Sequence, residues 1–250
     1  MTIPTLIQNL NLSQSWLNIL DKFGNISGNE LSPLILTITD FEENDDIRQL
    51  LDAHLINNEK QSIQTVSETI FPASLNKLFK NDRHSFYDEY IANFKRIQKL
   101  DAKRNSRGTY FQRLINYPGN ENRINQLENI IESIGDSKNN RRSRYQASIF
   151  DPNTDSLDGP YLGFPCLQHV TFYVTKEKGL VLNSFYAIQH IYSKAYGNWL
   201  GLINLGKFVS GELGIPFERF NCFVSIEKLD SLSKTEAKKL YDQAIKETKV

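Results

Sequence analysis

A long apolar helical pattern with strand patterns on both sides constrains the fold of this chain more than any other feature. Apolar residues recur at intervals of three and four between residues 188 and 213, namely Ile188, Ile191, Ala195, Trp199, Leu202, Leu205 and Val209. This spacing predicts one long helix with a buried side. Strand patterns precede it at 168–174 and 180–187 and follow it at 217–229. The second half of the chain is therefore predicted to be β-rich, with one long central helix.

The first half of the chain is predicted to be mainly helical. Helical patterns cover residues 11–24, 43–60, 62–79 with a break at Pro72, 82–105 and 123–135, and a polar helix with a Ser233–Glu236 capping box closes the chain at 233–247. Residues 31–41 predict a strand, residues 103–123 a loop, residues 137–152 a charged loop that becomes a strand, and residues 151–165 a turn-rich stretch. We see no repeat and no linker. The pattern predicts an α+β fold, a mixed sheet packed by helices, in a single domain spanning residues 1–250.

Composition excludes several classes of protein. Lys plus Arg and Asp plus Glu number 29 each, so nothing indicates a nucleic-acid or membrane partner. No apolar run approaches the ~20 residues of a membrane helix, and the N-terminus lacks the pattern of a secretory signal. With only two cysteines the chain is expected in a reducing, cytoplasmic compartment. The scattered histidines and the absence of cofactor motifs predict no metal site.

One of the two cysteines raises a question about chemistry. Cys166 follows Pro165 directly and stands at the mouth of the apolar strand 168–174. A cysteine there is either a nucleophile or a small hydrophobic residue that begins a buried strand. The strand alternates, with Val170 on one side and His169 on the other. The polar side suits a pocket, whereas Cys222 within FNCFVSI is predicted to be a buried small hydrophobic residue.

The order of several motifs resembles the thymidylate synthase family. Arg142-Ser143-Arg144 is followed by ASIFDP, then by FPCLQHVTFYV with Cys166, and then by AIQHIYSKAYGN, which ends at Asn198. In the first half, SETIFP places Glu68 and GTYFQRL places Tyr110 where the family has its catalytic glutamate and a site tyrosine. The resemblance covers most of the chain and extends to the pyrimidine hydroxymethyltransferases within this group.

The resemblance implies a covalent reaction at a pyrimidine ring. Cys166 would add to C6 of the pyrimidine, Glu68 would relay protons, and the substrate-binding residues would be Tyr110, Arg141, Arg142, Arg144, Gln168, His169 and Asn198. An arginine near the thiol would lower its pKa, and the asparagine amide would match the N3–H and O4 edge of uracil. The resemblance also implies a methylene-tetrahydrofolate donor and a homodimer. In that dimer the β-rich halves (144–225) pack sheet to sheet and the arginines reach the other subunit's pocket.

Departures from the family pattern leave two functions open. Ala187 and Ile188 stand where an Arg-Ser pair holds the substrate phosphate, and His190 replaces a folate-contacting aspartate. The sugar-binding His-x-Tyr pair falls near Lys228 and Asp230. One reading is a transferase that adds a methyl or hydroxymethyl group to C5 of a pyrimidine nucleotide or related ring. In that reading the phosphate is gripped elsewhere, by Arg113 or Arg144, or the pocket prefers a ligand with another polar tail. The alternative is a diverged protein that binds a nucleotide or a partner without turnover.

Overall fold

The structure is a computed structural model, which describes residues 3–80, 82–119, 122–136, 141–156 and 164–247. Much of the turn-rich stretch predicted at 151–165, and residues 137–140 of the predicted charged loop, lie outside the described residues. Within the described part of the chain, no helix has the length and apolar character needed to cross a bilayer.

One mixed sheet of seven strands organises the molecule, as the α+β prediction required. Its strands are β1 (Thr5–Asn11), β2 (Glu30–Leu31), β3 (Leu34–Asp40), β4 (Gln146–Ser148), β5 (Leu167–Val174), β6 (Leu180–His190) and β7 (Phe217–Lys228). They lie in the order β1-β3-β7-β6-β5-β4, and β2 pairs with β7 beside β3. The pairs β1–β3 and β6–β7 are parallel, and the remaining pairs are antiparallel. The turn predicted at KEKG joins β5 to β6 as a hairpin.

Helices cover one face of this sheet. They are α1 (Leu12–Lys22), α2 (Asp45–Asn57), α3 (Ile63–Glu68), α4 (Ala73–Asn76), α5 (Arg83–Ala92), α6 (Phe94–Leu100), α7 (Tyr110–Ile115), α8 (Gln126–Gly135), α9 (Pro152–Asp155), α10 (Tyr196–Leu213) and α11 (Lys234–Glu247). The break predicted at Pro72 separates α3 from α4. The predicted capping box precedes α11, since Glu236 accepts from the Ser233 backbone N–H at 2.7 Å while Ser233 Oγ accepts from the Glu236 N–H.

The two faces of the sheet differ in burial because side chains alternate along each strand. On the helix-covered face, one row crosses five strands through Leu36, Cys222, Ser184, Val170 and Ala147, and all five side chains are buried. The next row lies on the opposite, open face and consists of Thr37, Asn221, Asn183, Thr171 and Gln146. The burial predicted for Cys222 is confirmed, and His169 lies opposite to Val170 as predicted.

The predicted start of the long helix is wrong. Strand β6 continues to His190, which pairs with Lys228 of β7, so residues 188–190 are extended. A π-helix (Ile191–Ala195) follows, and α10 completes a helical segment of 23 residues. The carboxylate of Asp230 accepts from the backbone N–H groups of Tyr192 and Ser193 at 3.1 and 3.3 Å. These bonds satisfy amide groups that the first helical turn leaves without partners.

Three other expectations in the first half are corrected. The predicted loop 103–123 contains α7, whose first turn is capped by Thr109 Oγ1 accepting from the Gln112 N–H at 3.1 Å. The helix predicted at 82–105 is divided at Asn93 into α5 and α6. Strand β1 (Thr5–Asn11) was not predicted. It lies at the edge of the sheet, where its pairing with β3 depends on contacts distant in sequence.

Candidate functional site

Cys166 lies immediately before β5, at the end of the sheet where β6 leads into the π-helix. Its carbonyl accepts a hydrogen bond from the Ala187 N–H at 3.1 Å, which ties the entrance of β5 to β6. The thiol is half-buried and packs against the apolar core. Burial raises the pKa of Cys166 above its ordinary value, and the nearby Lys194 ammonium lowers it only in part. The Cys166 side chain is thus neither fully buried nor freely exposed.

Tyr110 lies beside Cys166 at this end of the sheet. The residue begins α7, and the neighbouring Phe111 N–H donates to the Thr69 carbonyl at 3.1 Å, which holds α7 against the end of α3. The Tyr110 hydroxyl lies beside the backbone N–H groups of Leu167 and Cys166. Burial raises the pKa of Tyr110 well above its usual range, the Cys166 thiol adds to this, and the two N–H groups oppose it. The tyrosine is therefore a neutral hydroxyl beside the cysteine.

Asn198 lies in the first turn of α10, with a buried side chain. Among the described residues the side-chain amide of Asn198 makes no hydrogen bond, either to another side chain or to the backbone of a nearby loop. The helix that carries it runs directly against α3. A Cβ at Gly197 would lie 2.9 Å from the Ile63 carbonyl, and one at Gly201 would lie 2.7 Å from the Ser67 carbonyl. Two glycines thus bring the backbones of α3 and α10 together.

Glu68 ends α3, and its carboxylate already has several partners. It accepts from the Ser74 N–H at 3.1 Å, from Ser74 Oγ at 2.8 Å and from the Gln64 amide. Ser74 lies in the first turn of α4, where a carboxylate stabilises the helix N-terminus. Glu68 is also close enough to Tyr90 to raise the pKa of that phenol, after the larger effect of burial. The structure places Glu68 near the start of α7, but in a capping role.

Lys194 is a site residue that the sequence reasoning missed. It lies on the π-helix, half-buried, and donates to the Gln61 side-chain oxygen, whose amide donates to Asp101 at 3.3 Å. Burial, followed by repulsion from Arg104, lowers the pKa of Lys194 to about 8, while Asp101, Asp230 and Cys166 oppose that shift. A π-helical turn is itself frequent at functional sites, but the regular spacing of the long apolar pattern gave no signal for it.

The predicted arginine and histidine ligands lie away from Cys166 within one chain. Arg141, Arg142 and Arg144 are exposed, and the Arg142 guanidinium lies 5.5 Å from the centre of the Tyr173 ring. Tyr173 is seven residues along β5 from Cys166, or about 23 Å at the usual rise of a strand. His169 faces the open side of the sheet, where its Nε2 lies 3.0 Å from Gln146 Oε1. Gln168 donates to the Pro165 carbonyl and so holds the loop before Cys166.

Arg113, the alternative phosphate ligand, is buried and makes several contacts within the protein. It bonds Asp155 with both terminal nitrogens, at 2.5 and 2.9 Å. It also donates to the carbonyls of Ile149 and Arg107. These bonds engage both terminal nitrogens and hold α7 to α9. They are structural contacts and argue against the expectation that Arg113 grips a phosphate.

Among the described residues no group of three or more His, Cys, Asp or Glu side chains is arranged to hold a metal ion. His190, at the position of the family's folate-contacting aspartate, is nearly half exposed, and its Nδ1 lies 3.9 Å from the Asp230 carboxylate. Asp230 is itself engaged in the bonds that begin the π-helix. The charged groups at this end of the sheet are thus Lys194 and Asp230, with Asp101 and Arg104 beyond them.

Comparison with known proteins finds a similarity to a curated protein. No protein-family model matches the chain. A protein of Methanocaldococcus jannaschii with the name "Putative thymidylate synthase" is 32% identical to it over 110 residues. The matched segment is 43% of this chain and 48% of that protein, so the chain spans about half the length of this relative.

Proposed function

We propose that the chain is a transferase of the thymidylate synthase type, which adds a methyl or hydroxymethyl group to C5 of a pyrimidine nucleotide through a Cys166 adduct. The observation that carries this proposal is the placement of the Tyr110 hydroxyl beside the backbone of Cys166, although the two residues are far apart in sequence. The name of the M. jannaschii relative and the order of the motifs support the same function.

The chemistry follows from the residues at this end of the sheet. A thiolate of Cys166 adds to C6 of the pyrimidine, and the electron pair of the C5–C6 bond moves to C5, which becomes the nucleophile. Negative charge that develops on O4 needs a fixed donor, and the unpaired Asn198 amide supplies both a donor and an acceptor. The neutral Tyr110 hydroxyl orients the adduct. Because burial raises the pKa of Cys166, the Lys194 ammonium has to assist formation of the thiolate.

The donor that the resemblance implies is methylene-tetrahydrofolate. His190 stands in place of the folate-contacting aspartate and lies next to Asp230, so this contact of the family is not reproduced. We therefore assign no step to folate. The one-carbon donor remains a variable of the experiment, tested with and without added methylene-tetrahydrofolate.

Covalent capture tests the proposal directly. The wild-type protein is incubated with a 5-fluoropyrimidine nucleotide, with and without methylene-tetrahydrofolate, and its intact mass is measured. The mass of the wild-type protein is expected to increase. The mass of Cys166→Ser should not increase, since the adduct needs the thiolate. Cys222→Ser is the matched control and should retain the adduct. If wild type gives no adduct with any pyrimidine, the second candidate, a diverged protein that binds without turnover, becomes the better reading. The replacement of the phosphate ligands by Ala187 and Ile188 favours it.

The same replacement predicts an unusual preference between nucleotide and nucleoside. A charge-assisted contact to phosphate contributes roughly 1.5–3 kcal/mol, which is about ten- to hundredfold in affinity. Ala187 contributes only its backbone N–H, which already bonds Cys166. We therefore expect deoxyuridine monophosphate to bind less than about tenfold more tightly than deoxyuridine by calorimetry. A hundredfold preference for the monophosphate would show that another group replaces the lost arginine.

The assembly proposed here is a homodimer formed through the open face of the sheet. The exposed arginines at 141, 142 and 144 lie at the end of β5 remote from Cys166. In a two-fold arrangement of facing sheets whose axis lies across the strands, opposite ends of the strands come together. The arginines of one subunit are then placed toward the pocket of the other, which accounts for their distance from Cys166 within one chain.

A further inference from the structure

A group of buried polar side chains without partners lies beneath the π-helix. Tyr186, Gln189 and Glu227 are 0%, 2% and 0% exposed. Among the described residues, the Tyr186 hydroxyl, both polar atoms of the Gln189 amide and both carboxyl oxygens of Glu227 have no hydrogen-bond partner. Leaving one such group unpaired costs roughly 1–3 kcal/mol. Five unpaired atoms in one place are too costly to be incidental to the fold.

These atoms belong to one continuous region. Gln189 of β6 and Glu227 of β7 are directly opposite each other in the parallel ladder. The alternation of buried and exposed side chains reverses between Tyr186 and Gln189, and again between Val224 and Glu227 at the paired positions of β7. This double reversal turns both polar side chains toward the helix-covered face. A reversal of the burial pattern in only one of the two strands would not have placed Gln189 and Glu227 together.

Tyr186 connects this region to the candidate active site. The Tyr186 phenol is close enough to interact electrostatically with Tyr110 and Cys166 of the candidate site, and also with Cys222 and Glu227. We propose that Tyr186, Gln189 and Glu227 enclose an internal site for ordered water, and that this water links Glu227 to Cys166 through Tyr186.

Water fits the polar groups of this site better than an ion does. A buried water makes about three hydrogen bonds and needs both donors and acceptors around it. The Gln189 amide and the Tyr186 hydroxyl each supply both kinds. A metal ion would find a single carboxyl group, since the described residues contain no cluster of three or more metal-ligating side chains. An anion would face Glu227 and, beyond it, Asp230.

The protonation state of Glu227 makes the link chemically useful. Burial, with a further contribution from the Asp230 carboxylate, raises the pKa of Glu227 well above its ordinary range and so favours the neutral carboxylic acid. The titratable groups that interact with it are Asp230, Tyr186 and Cys222. A neutral carboxyl donates its proton to the water, the water donates to Tyr186, and the tyrosine proton passes to C5 of the pyrimidine adduct, whose electron pair takes it up. Glu227 is left as a carboxylate and regains a proton when the same path runs in reverse and removes a proton from C5.

The water site is tested without reference to activity. Infrared spectra of protein with isotope-labelled glutamate should show a carboxylic-acid band at neutral pH that Glu227→Gln removes. Glu218→Gln, at the other end of β7, is the matched control and should leave that band in place. A high-resolution crystal structure should show water bonded to both Gln189 and Glu227. A spectrum with no acid band, or crystals in which these two side chains bond each other with no water between them, would overturn the proposal.

The link to Cys166 rests on the proposed function and is tested separately. Glu227→Gln and Tyr186→Phe keep the shape of the side chains, so both variants should fold and bind a nucleotide as wild type does. Exchange of the C5 proton with solvent should slow on the order of a hundredfold, at the low end for proton-transferring groups, with a changed pH profile. Unchanged exchange in both variants would refute the link. If the acid band and the water are found but wild type exchanges no pyrimidine proton, the proposed function fails and the water site stands.

Discussion

The surroundings of Cys166 and Cys222 predict a large difference in reactivity between these two thiols. Cys222 is 1% exposed, and burial raises its pKa to about 12. Cys166 is half-buried and has the Lys194 ammonium nearby. We expect iodoacetamide to label Cys166 in the native protein at neutral pH and Cys222 only after unfolding, because thiolate and access are both required. Peptide mapping by mass spectrometry measures the two rates. Equal rates in the native protein would contradict the proposed site.

Lys194 predicts how the reactivity of Cys166 depends on pH. Lys194→Met removes a positive charge, so the pKa of Cys166 should rise further and its alkylation at pH 7 should slow by roughly three- to tenfold. Wild-type Lys194 loses its own proton near pH 8, since its pKa is about 8. The ratio of wild-type to variant rates should therefore fall as the pH rises through 8.

The pH dependence separates this effect from a general loosening of the fold. Lys194→Arg keeps the charge and should retain most of the rate at pH 7, and Lys238→Met, on the exposed side of α11, should behave as wild type. A rate ratio that is constant from pH 6 to pH 9 would show that the ammonium has no part in forming the thiolate.

At the scale of elements, α3 and α10 lie so close together that adding one methyl group between them should reduce the stability of the fold. A Cβ at Gly201 would lie 2.7 Å from the Ser67 carbonyl and 2.9 Å from Ile70 Cβ, so α3 has to move. Gly201→Ala should reduce the free energy of unfolding by about 1–3 kcal/mol, as overpacking does. The matched control is Gly211→Ala on the same helix, where nothing lies within 4 Å of the new Cβ.

The control is expected to move in the other direction. Alanine favours a helix over glycine by about 1 kcal/mol, so Gly211→Ala should raise the midpoint of chemical denaturation while Gly201→Ala lowers it. Because Glu68 and Asn198 lie on these two helices, Gly201→Ala should also weaken nucleotide binding. Similar stabilisation by both substitutions would mean that the helices are not in backbone contact.

Elements defined by local patterns were predictable from the sequence, and those defined by pairing were not. The β5–β6 hairpin and the capped helix α11 follow from alternation, turn residues and the Ser233–Glu236 pair. The end of β6 did not, because the period of three and four begins at Ile188, before the ladder with β7 has ended. Pairing between strands outweighs the helical pattern for these residues.

The candidate site was predictable in part for the same physical reason. The order of motifs indicated Cys166, Tyr110 and Asn198, and the structure places the Tyr110 hydroxyl beside the backbone of Cys166. Simple alternation, however, places Glu227 on the open face, since Val224 is buried and lies three residues earlier. Only the shared reversal in β6 and β7 turns it inward. The position of Lys194 near Cys166 was not predicted either, because a regular helix was expected where the π-helix lies.

At the scale of the whole molecule, the open face of the sheet needs a covering layer. Its central row is a chain of hydrogen bonds from Thr37 through Asn221 and Asn183 to Thr171, at 3.0, 2.8 and 3.1 Å. Beside this row Phe185 and Phe223 stack with ring centres 5.6 Å apart, although each is 39% exposed. Polar groups that bond each other, with aromatic rings beside them, suit a face that packs against another protein surface. The opposite face already carries the helices, and two-fold pairing is the commonest way to cover such a sheet.

This surface predicts a dimer that a single charge disrupts. Wild type should be a dimer at micromolar concentration by light scattering, and Phe223→Lys should weaken association by on the order of a hundredfold or more, because a charge buried without a partner costs several kcal/mol. Leu78→Lys is the control, since Leu78 is 76% exposed and lies outside the sheet, and it should remain dimeric. Both variants should keep the wild-type circular dichroism spectrum. A monomeric wild type, or a Phe223→Lys variant that stays dimeric, would place the contact elsewhere and leave the exposed arginines without a pocket to reach.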